Sequence, residues 1–243
     1  MGTLDPLYKH VKQQLVASLS EGEWKPGALM PSESSLAARY AVGISTIRAA
    51  LSELAAAGVV VRRQGKGTYV GRHGEQRSVY RFFHVVGDGA AKTLPISELL
   101  DFRRGEAGDR VAEQLELPRA RGGRTVFLMR NVLRVAGTPV VVSEVVVPSA
   151  VFPGLSRRLL REGPTLYAVY QKHFGVTITR AAEELRSVRA DRDAARAFGL
   201  RAGAPVLEVR RLAYTFGDRP VEARRSQVDT RRHHYRIDRG DAL

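Results

Sequence analysis

Residues 30–70 read MPSESSLAARYAVGISTIRAALSELAAAGVVVRRQGKGTYV, and the order of patterns in this stretch decides the fold of the first part of the chain. A helix is predicted to begin after Pro31, because Ser32 is a favourable N-cap residue and Glu33 complements the helix dipole. A second helix is predicted over residues 45–57, where apolar residues recur at helical spacing before a glycine. Two short helices joined by a tight turn indicate a helix-turn-helix.

A β-hairpin is predicted directly after these helices. Residues 59–63 and 68–70 are rich in β-branched and aromatic side chains, and the intervening QGKG at 64–67 suits a hairpin tip. A helix-turn-helix followed by such a hairpin is a winged helix-turn-helix, whose second helix enters the DNA major groove with its N-terminal residues. The stretch therefore predicts a DNA-binding domain.

The sequence on either side of this stretch completes a three-part division of the chain. Upstream, residues 5–20 carry apolar residues at every fourth position and predict an amphipathic helix. Downstream, the polar, glycine-containing residues 72–80 predict a linker. We therefore expect a winged helix-turn-helix domain over residues 1–71, a linker over 72–80 and a second domain over 81–243.

The second domain contains an internal repeat. The order strand, helix, glycine, strand occurs around residues 100–130 and again around residues 185–210, so that Arg130 and Arg210 hold corresponding places. Each copy then ends in a hairpin with a glycine-containing turn. Two such units predict an antiparallel sheet with helices packed on it, so the whole chain is predicted to be α+β. A cleft between the two units is a natural ligand site.

Composition favours a phosphate-rich partner, although the charge is not concentrated in the predicted DNA-binding domain. The 243 residues carry 39 Lys+Arg against 25 Asp+Glu, a net charge of +14. Residues 1–75 hold only nine of those basic residues, with six acidic ones. Cysteine is absent, and no apolar run approaches the roughly 20 residues that span a bilayer. We therefore expect a soluble, cytoplasmic protein without disulfides and without a membrane partner.

Residues 6–70 resemble the GntR family of bacterial regulators. The resemblance lies in PLYKHVKQQL at 6–15 and in the stretch from residue 30 to residue 70, which ends in RRQGKGTYV. It implies a homodimer on a palindromic, double-stranded operator that is read by the second helix of the motif and by the wing. The DNA-contacting residues that this reading predicts are Ser32, Ser34, Ile44, Ser45, Thr46, Arg48, Arg63, Gly65, Lys66 and Gly67.

Three positions depart from the family pattern. Family members often have arginine where this chain has Ser34 and Ile44, and serine where it has Gly43. Two commonly used DNA-contacting arginines are therefore absent, whereas Arg48 remains. Ile44 offers contact with a thymine methyl group instead, so a typical family operator is not expected to apply.

Residues 95–238 resemble the UTRA domain, the effector-binding partner in the HutC-like subfamily of GntR regulators. The resemblance lies in GTPVVVSEVVVP at 137–148, PTLYAVYQKHFGVTITRAAEE at 164–184 and RPVEARRS at 219–226. It implies a chorismate-lyase-like fold used as a sensor. The predicted effector-binding residues are Phe83, His84, Arg130 or its neighbours, Ser143, Glu144, Thr165, Tyr167, Glu222, Arg225 and Tyr235.

The residue types at the predicted site, and the motifs that the sequence lacks, indicate the kind of ligand and cofactor to expect. Sugar-phosphate sensors of the subfamily carry two arginines before the first hairpin, where this chain has Asn131 and Leu133, so we expect an anionic or aromatic metabolite. The sequence contains no phosphate loop, nucleophile elbow or metal-ligand spacing. His233 and His234 are adjacent, and on a strand they point to opposite faces. We predict no catalytic residue, no metal and no cofactor.

Several functions stay open from the sequence alone. The leading prediction is a transcription regulator, usually a repressor, whose effector changes the spacing of two DNA-binding domains through residues 71–84. A lyase-like enzyme would use acids such as Glu144 and Glu222 for acid–base work. A constitutive DNA-binding protein would carry a degenerate sensor. At the level of single residues, Glu222 and Arg225 either bind the ligand or form a structural ion pair, and Phe83 either lines the pocket or packs the domains together.

Overall fold

The computed structural model describes residues 6–73, 81–89, 93–120 and 122–237. Its first part is a winged helix-turn-helix of three helices and one antiparallel hairpin, as the sequence predicts. These elements are α1 Leu7–Ser20, α2 Glu33–Tyr40, α3 Ile44–Ala56, β1 Val60–Arg63 and β2 Gly67–Val70.

Local sequence determines the ends of α2, and burial determines how the three helices pack. The Ser32 hydroxyl accepts a hydrogen bond from the Ser35 amide at 3.1 Å and caps the start of α2. Ala41 ends the helix in the left-handed conformation, with φ 52°, and turns the chain towards α3. One side of each helix is buried, so that a single core forms. Its fully buried members include Leu15, Leu36, Ile47 and Leu51.

The larger part is built on one six-stranded antiparallel sheet. Its strands are β4 Ile96–Glu106, β5 Thr125–Val135, β6 Thr138–Pro148, β7 Arg180–Arg189, β8 Pro205–Tyr214 and β9 Pro220–Val228. They lie in the order β4-β5-β6-β9-β8-β7. A separate two-stranded pair, β3 Val85–Gly87 and β10 His233–Tyr235, brings the start and the end of this part together.

The internal repeat is confirmed by the topology of this sheet. Its helices are α4 Asp109–Gln114, α5 Leu166–Phe174 and α6 Arg192–Phe198. The first unit is β4-α4-β5-β6 and the second is β7-α6-β8-β9, and the two units meet where β6 pairs with β9. Helix α5 lies in the chain between the two units, and it has no counterpart in the predicted repeat.

The two faces of the sheet carry different cores because side chains alternate along each strand. Met129 on β5 packs in the cluster that contains Tyr167 and Tyr170 of α5. Val132, on the other face of the same strand, packs in the cluster that contains Ala194 of α6. The α5 face is therefore aromatic and deep, whereas the α6 face is closed by small residues.

Two helices end earlier than their sequence patterns predict, and one predicted core residue is exposed. The sequence predicts a helix over 109–117, but α4 ends at Gln114, and Glu116 adopts a left-handed φ of 52°. The sequence also predicts a helix over 191–200, but Gly199 ends α6 in the left-handed conformation. Leu7, which the helical spacing of residues 5–20 places in the apolar stripe of α1, is 56% exposed.

The segment after the wing packs against the larger part of the molecule. The Gln171 side chain on α5 donates to the Gly71 carbonyl at 3.1 Å and accepts from the His73 amide at 3.0 Å. His73 is only 5% exposed. The predicted linker, 72–80, thus includes one residue, His73, that is buried against the second domain, and residues 74–80 lie outside the described residues.

Within the described ranges, no helix is both long enough and apolar enough to cross a membrane.

Replacing Phe152 with alanine tests the aromatic core beneath the α5 face. Phe152 is fully buried, and its ring lies 4.5 Å from the Tyr170 ring, measured between centroids. The cavity left by truncation is expected to lower the free energy of unfolding by about 3–5 kcal/mol. Urea unfolding measures this loss. The matched control is Ile96→Ala, because Ile96 is 74% exposed and its truncation should change the unfolding midpoint little.

Candidate functional sites

The predicted DNA-contacting residues lie on α2, on α3 and on the hairpin that forms the wing. We call this region the α3–wing surface. Thr46 is partly buried, whereas the other predicted residues are exposed. The exposed set is Ser32, Ser34, Ile44, Ser45, Arg48, Arg63, Gly65, Lys66 and Gly67. Ile44, where the family often has arginine, is 46% exposed at the first position of α3.

One carboxylate ties the reading helix to the wing. Arg48 on α3 donates from Nε and Nη2 to one oxygen of Glu33, at 3.1 and 3.0 Å. Arg62 on β1 donates to the other Glu33 oxygen at 3.4 Å and to the Arg48 carbonyl at 3.1 Å. Arg62 was not among the predicted DNA-contacting residues. Because Glu33 engages both guanidinium groups, Arg48 has to exchange this partner when it binds a phosphate or a base.

The tip of the wing depends on two glycines in the left-handed region. Gly65 has φ 69° and Gly67 has φ 98°, and the Lys66 amide donates to the Arg63 carbonyl at 2.9 Å to close the turn. The Arg63 guanidinium lies 4.7 Å from the Tyr69 ring centroid. The tip is therefore compact, and no side chain at Gly65 or Gly67 keeps the backbone from a DNA surface.

A cavity that opens to solvent lies on the α5 face of the large sheet. Its volume is about 940 Å³ when the solvent-filled mouth is included. Strands β5, β6, β8 and β9 form its floor. Its walls come from residues 82–85, from residues 164–167 at the start of α5, and from Tyr235. Both repeat units thus contribute to one cavity, as the sequence analysis anticipated for a ligand site.

The floor of the cavity changes from apolar to cationic across successive rows of paired residues. At one end, Leu133 pairs with Val141, which pairs with Val228. At the other end, Arg224 pairs with Arg211. A polar row lies between these ends.

The middle row is formed by three polar side chains. Asn131 on β5 pairs with Ser143 on β6, which pairs with Ser226 on β9. The two serine hydroxyls are 2.8 Å apart and hydrogen-bond to each other. Asn131 is 3% exposed, and its Oδ1 has no hydrogen-bond partner among the described residues.

Each arginine of the floor is held by a neighbouring carboxylate. Arg211 donates to Glu183 at 2.6 Å, and it also donates to the Phe82 carbonyl. Arg224 donates to both oxygens of Glu222, at 2.9 and 3.0 Å. Neither carboxylate lines the cavity, whereas both arginines do.

Glu183 is ionised in this arrangement. Burial disfavours the charged carboxylate, but Arg211 and the hydroxyl that Tyr235 donates outweigh burial and hold the pKa of Glu183 below its usual value. Arg211 is therefore fixed in place by a charged partner, which leaves its direction in the cavity well defined.

Glu222 organises the deepest part of the site. It is fully buried, and it accepts hydrogen bonds from the hydroxyls of Tyr167 at 3.2 Å and Tyr170 at 2.9 Å, besides those from Arg224. Burial, together with the nearby carboxylate, raises the pKa of Tyr167 to about 12. Tyr167 therefore stays protonated and presents a rigid aromatic wall.

His73 closes the cavity on the side of the DNA-binding domain. Its Nε2 accepts a hydrogen bond from the Ile178 amide at 2.8 Å, and its ring meets the Tyr167 ring edge-on at 5.9 Å. Burial, reinforced by the positive charge of Arg81, lowers the pKa of His73 to about 4. The imidazole is therefore neutral at pH 7, with Nε2 as the acceptor.

The structure brings six of the ten predicted effector-binding residues to the cavity and leaves four away from it. The six that line it are Phe83, His84, Ser143, Thr165, Tyr167 and Tyr235. Glu222 lies on the same face of the sheet, between β9 and α5, but does not line the cavity. Arg130, Glu144 and Arg225 lie on the α6 face, where they surround a small separate cavity with Asp191 and Asp193.

Strand alternation explains why some predicted residues lie away from the cavity and why some of their neighbours line it. Arg130 and Arg225 point to the α6 face, so their neighbours Asn131 and Arg224 point into the cavity. Arg225 forms structural ion pairs there, at 2.6 Å with Glu208 and 3.1 Å with Asp191. The sequence alone could have separated the two faces, because residues at spacing two along a strand share a face, and Ser143 and Glu144 therefore lie on opposite faces.

His233 and His234 are adjacent on β10. His234 Nδ1 lies 2.9 Å from an Asp88 oxygen on the exposed side of the β3–β10 pair. Over the described ranges, no group of three or more histidine and acidic side chains is placed to hold an ion.

A winged helix-turn-helix joined to a domain with a preformed cavity defines a DNA-binding regulator that responds to a small molecule. Residues 7–70 match the sequence profile of the bacterial regulatory proteins of the gntR family, and residues 91–234 match that of the UTRA domain. The chain belongs to the GntR family, in the branch that carries a UTRA domain. It is therefore a transcription regulator whose C-terminal domain binds an effector.

Individual relatives agree along most of the chain. An HTH-type transcriptional regulator of Mycobacterium tuberculosis is 30% identical, over 89% of this chain and 80% of its own. The histidine utilization repressor of Pseudomonas putida is 29% identical, over 90% of this chain and 86% of its own. Among solved structures, a ligand-binding domain from Bordetella bronchiseptica assigned to the GntR family is 36% identical. It covers 66% of this chain and 99% of its own, with a TM-score of 0.61.

Neutralising Glu33 tests how the α3–wing surface is held. In Glu33→Gln, Arg48 and Arg62 lose their shared charged partner and become available to phosphates. We expect several-fold tighter binding to nonspecific duplex DNA at low salt and a steeper dependence on salt concentration. Fluorescence anisotropy measures both. Glu53→Gln is the control, because Glu53 pairs with Lys12 away from this surface and its change should leave DNA affinity nearly unaltered.

The buried, neutral state of His73 gives stability a defined pH dependence. Its pKa is about 4 in the folded chain and about 6.5 in the unfolded chain, so the unfolded chain binds the proton first as pH falls. Stability from this residue is complete above pH 6.5 and is lost as pH falls towards 4, by roughly 3 kcal/mol in all. Urea unfolding of the wild type and of His73→Gln at both pH values measures it. Equal pH dependence in the two proteins would contradict the assignment.

Proposed function

We propose that the protein is a homodimeric repressor that binds a palindromic operator and leaves it when an effector enters the cavity on the α5 face. The chain belongs to a family of transcription regulators with an effector-binding domain, and its relatives include proteins that are named as repressors. The observation that carries the coupling is His73, which lines the effector cavity three residues after the wing strand ends.

Operator recognition is proposed to use the α3–wing surface. Ser45 and Arg48 lie at the exposed start of α3, where a reading helix contacts base edges. Ile44 is proposed to contact a thymine methyl group, and Lys66 to contact a phosphate beside the wing. What supports this assignment is exposure and charge together, since these groups lie on one continuous surface.

Coupling between the two sites is proposed to run through a short, packed path. Gln171 on α5 holds the backbone on both sides of Arg72, through Gly71 and His73. The same helix begins at the cavity with Thr165 and Tyr167. An effector that pushes on His73 or Tyr167 would therefore shift the attachment of the wing, and two wings in a dimer would change their spacing.

Chemistry in the cavity is not part of the proposal. The sequence offers two acids for catalysis, Glu144 and Glu222. Glu222 is occupied by Tyr167, Tyr170 and Arg224, and Glu144 lies on the α6 face, away from the cavity. We propose binding without turnover, which mass spectrometry of a recovered ligand would test. As the partner is chromosomal DNA in bacteria, we also propose that the protein works in the cytoplasm.

The decisive experiment is a gel shift with DNA from upstream of the protein's own gene and its neighbours, with and without a cell metabolite extract. We expect a discrete, salt-sensitive complex that a metabolite fraction dissolves. Arg48→Ala should weaken the complex at least tenfold, whereas Arg186→Ala, an equal loss of charge on an exposed arginine of β7, should not.

Two outcomes would contradict the proposal. A complex that prefers none of these sequences over random DNA would remove operator recognition. Analytical ultracentrifugation that finds only monomers, free and on DNA, would remove the dimer and with it the palindromic operator.

A further inference from the structure

We propose that the effector is a small organic anion in which a carboxylate is attached to an apolar body that also carries one hydrogen-bond donor. The inference rests on the proposed function, in which the cavity on the α5 face is the sensor site. Three features of the floor and walls carry it: a pair of arginines at one end, aliphatic and aromatic side chains at the other, and one unpaired acceptor between them.

The arginine end is suited to a carboxylate. Arg211 and Arg224 are paired directly across neighbouring strands, and each is held by a carboxylate, Glu183 or Glu222. Both guanidiniums line the cavity, whereas their carboxylate partners do not; His84 also lines it, with Nε2 4.0 Å from Glu183. A ligand carboxylate in the cavity binds the guanidinium N–H groups that Glu183 and Glu222 do not occupy, and its two oxygens suit paired N–H donors.

The opposite end is suited to an apolar body. Leu133, Val141 and Val228 form its floor. Phe83, Val85 and Pro95 complete the walls. The lining at this end includes one hydroxyl, that of Ser97, which pairs with Leu133. A sugar ring with many hydroxyls would lose its water there with too few replacement partners, which is costly for each unpaired hydroxyl. This end therefore disfavours a sugar phosphate and favours a hydrocarbon chain or ring.

The unpaired acceptor predicts the third feature of the ligand. Asn131 is 97% buried on the floor, and its Oδ1 lacks a partner, whereas the neighbouring serine hydroxyls satisfy each other. A buried acceptor without a donor is destabilising, and such groups in native proteins usually have a ligand or a water as partner. A hydroxyl or N–H on the ligand body, placed between the two ends, supplies the missing donor.

The first test is a panel of acids with their uncharged counterparts. The probes are phenylacetate, 4-hydroxyphenylacetate, hexanoate and 6-hydroxyhexanoate, each with its primary amide, together with glucose 6-phosphate and inorganic phosphate. Thermal shift ranks the probes at equal concentration, and calorimetry measures Kd for those that bind. We expect at least one acid to bind about tenfold or more tightly than its amide, and the hydroxylated acids to bind more tightly than the plain ones.

Variants then test which residues cause the preference for an acid over its amide. Glu222→Gln with Arg224→Met removes a charge pair together, so no buried charge is left alone, and it should abolish the preference for acid over amide. Glu222→Gln alone keeps the arginine and should keep that preference. Arg225→Met, one residue along but on the α6 face, should also keep it. Asn131→Val should remove the advantage of the hydroxylated acids while keeping or raising the melting temperature.

The results separate this inference from the proposed function. If no acid binds more tightly than its amide, or if glucose 6-phosphate binds more tightly than every acid, the ligand class is wrong. The same preparations are run in the gel shift. If no acid is preferred but a metabolite still dissolves the operator complex, the proposed function is retained and the effector belongs to another chemical class. If an acid binds but no operator complex forms, the proposed function is wrong.

Discussion

The pairing of β6 with β9 is the interaction on which the rest of the large domain depends. Each repeat unit alone is a three-stranded sheet with one helix, and only this pairing turns the two into one six-stranded floor. The pairing also sets the register that puts Ser143 beside Ser226 and brings polar residues of both units into one row. A slip of β9 by one residue would turn Ser226 to the α6 face and put Arg225 or Gln227 beside Ser143 instead.

Sequence reasoning predicted the elements well and the ligand site only in part. The winged helix-turn-helix followed from local signals, such as the Ser32 cap and the glycines of the wing, because those signals act within a few residues. The repeat was also visible, since a βαββ unit has a fixed order. The face of each strand was harder to predict. The sequence predicts Arg130 and Arg225 as ligand contacts, whereas the alternation of side chains places both on the α6 face.

Two further features were outside the reach of local patterns. Helix α5 has no repeat partner, so nothing in the sequence indicated that its Gln171 would hold the backbone 100 residues earlier. The burial of His73 likewise depends on a contact between residues that are far apart in the sequence. Residues 71–73 are polar and glycine-containing, which is typical of a linker, yet His73 gains a buried acceptor role because Ile178 presents an amide to it. Long-range hydrogen bonds of this kind overrule local composition.

The two repeat units carry different residues at corresponding places, which makes the two ends of the cavity chemically different. Arg130 and Arg210 hold corresponding places in the two units, so their neighbours Asn131 and Arg211 correspond as well, and both line the same cavity. If the two units once were identical, the floor was then two-fold symmetric and could not have distinguished the two ends of a bound molecule. The present difference between an amide and a guanidinium at these twin positions breaks that symmetry. For the ligand class proposed above, this asymmetry allows only one orientation in the cavity, with the carboxylate at the end that the second unit supplies.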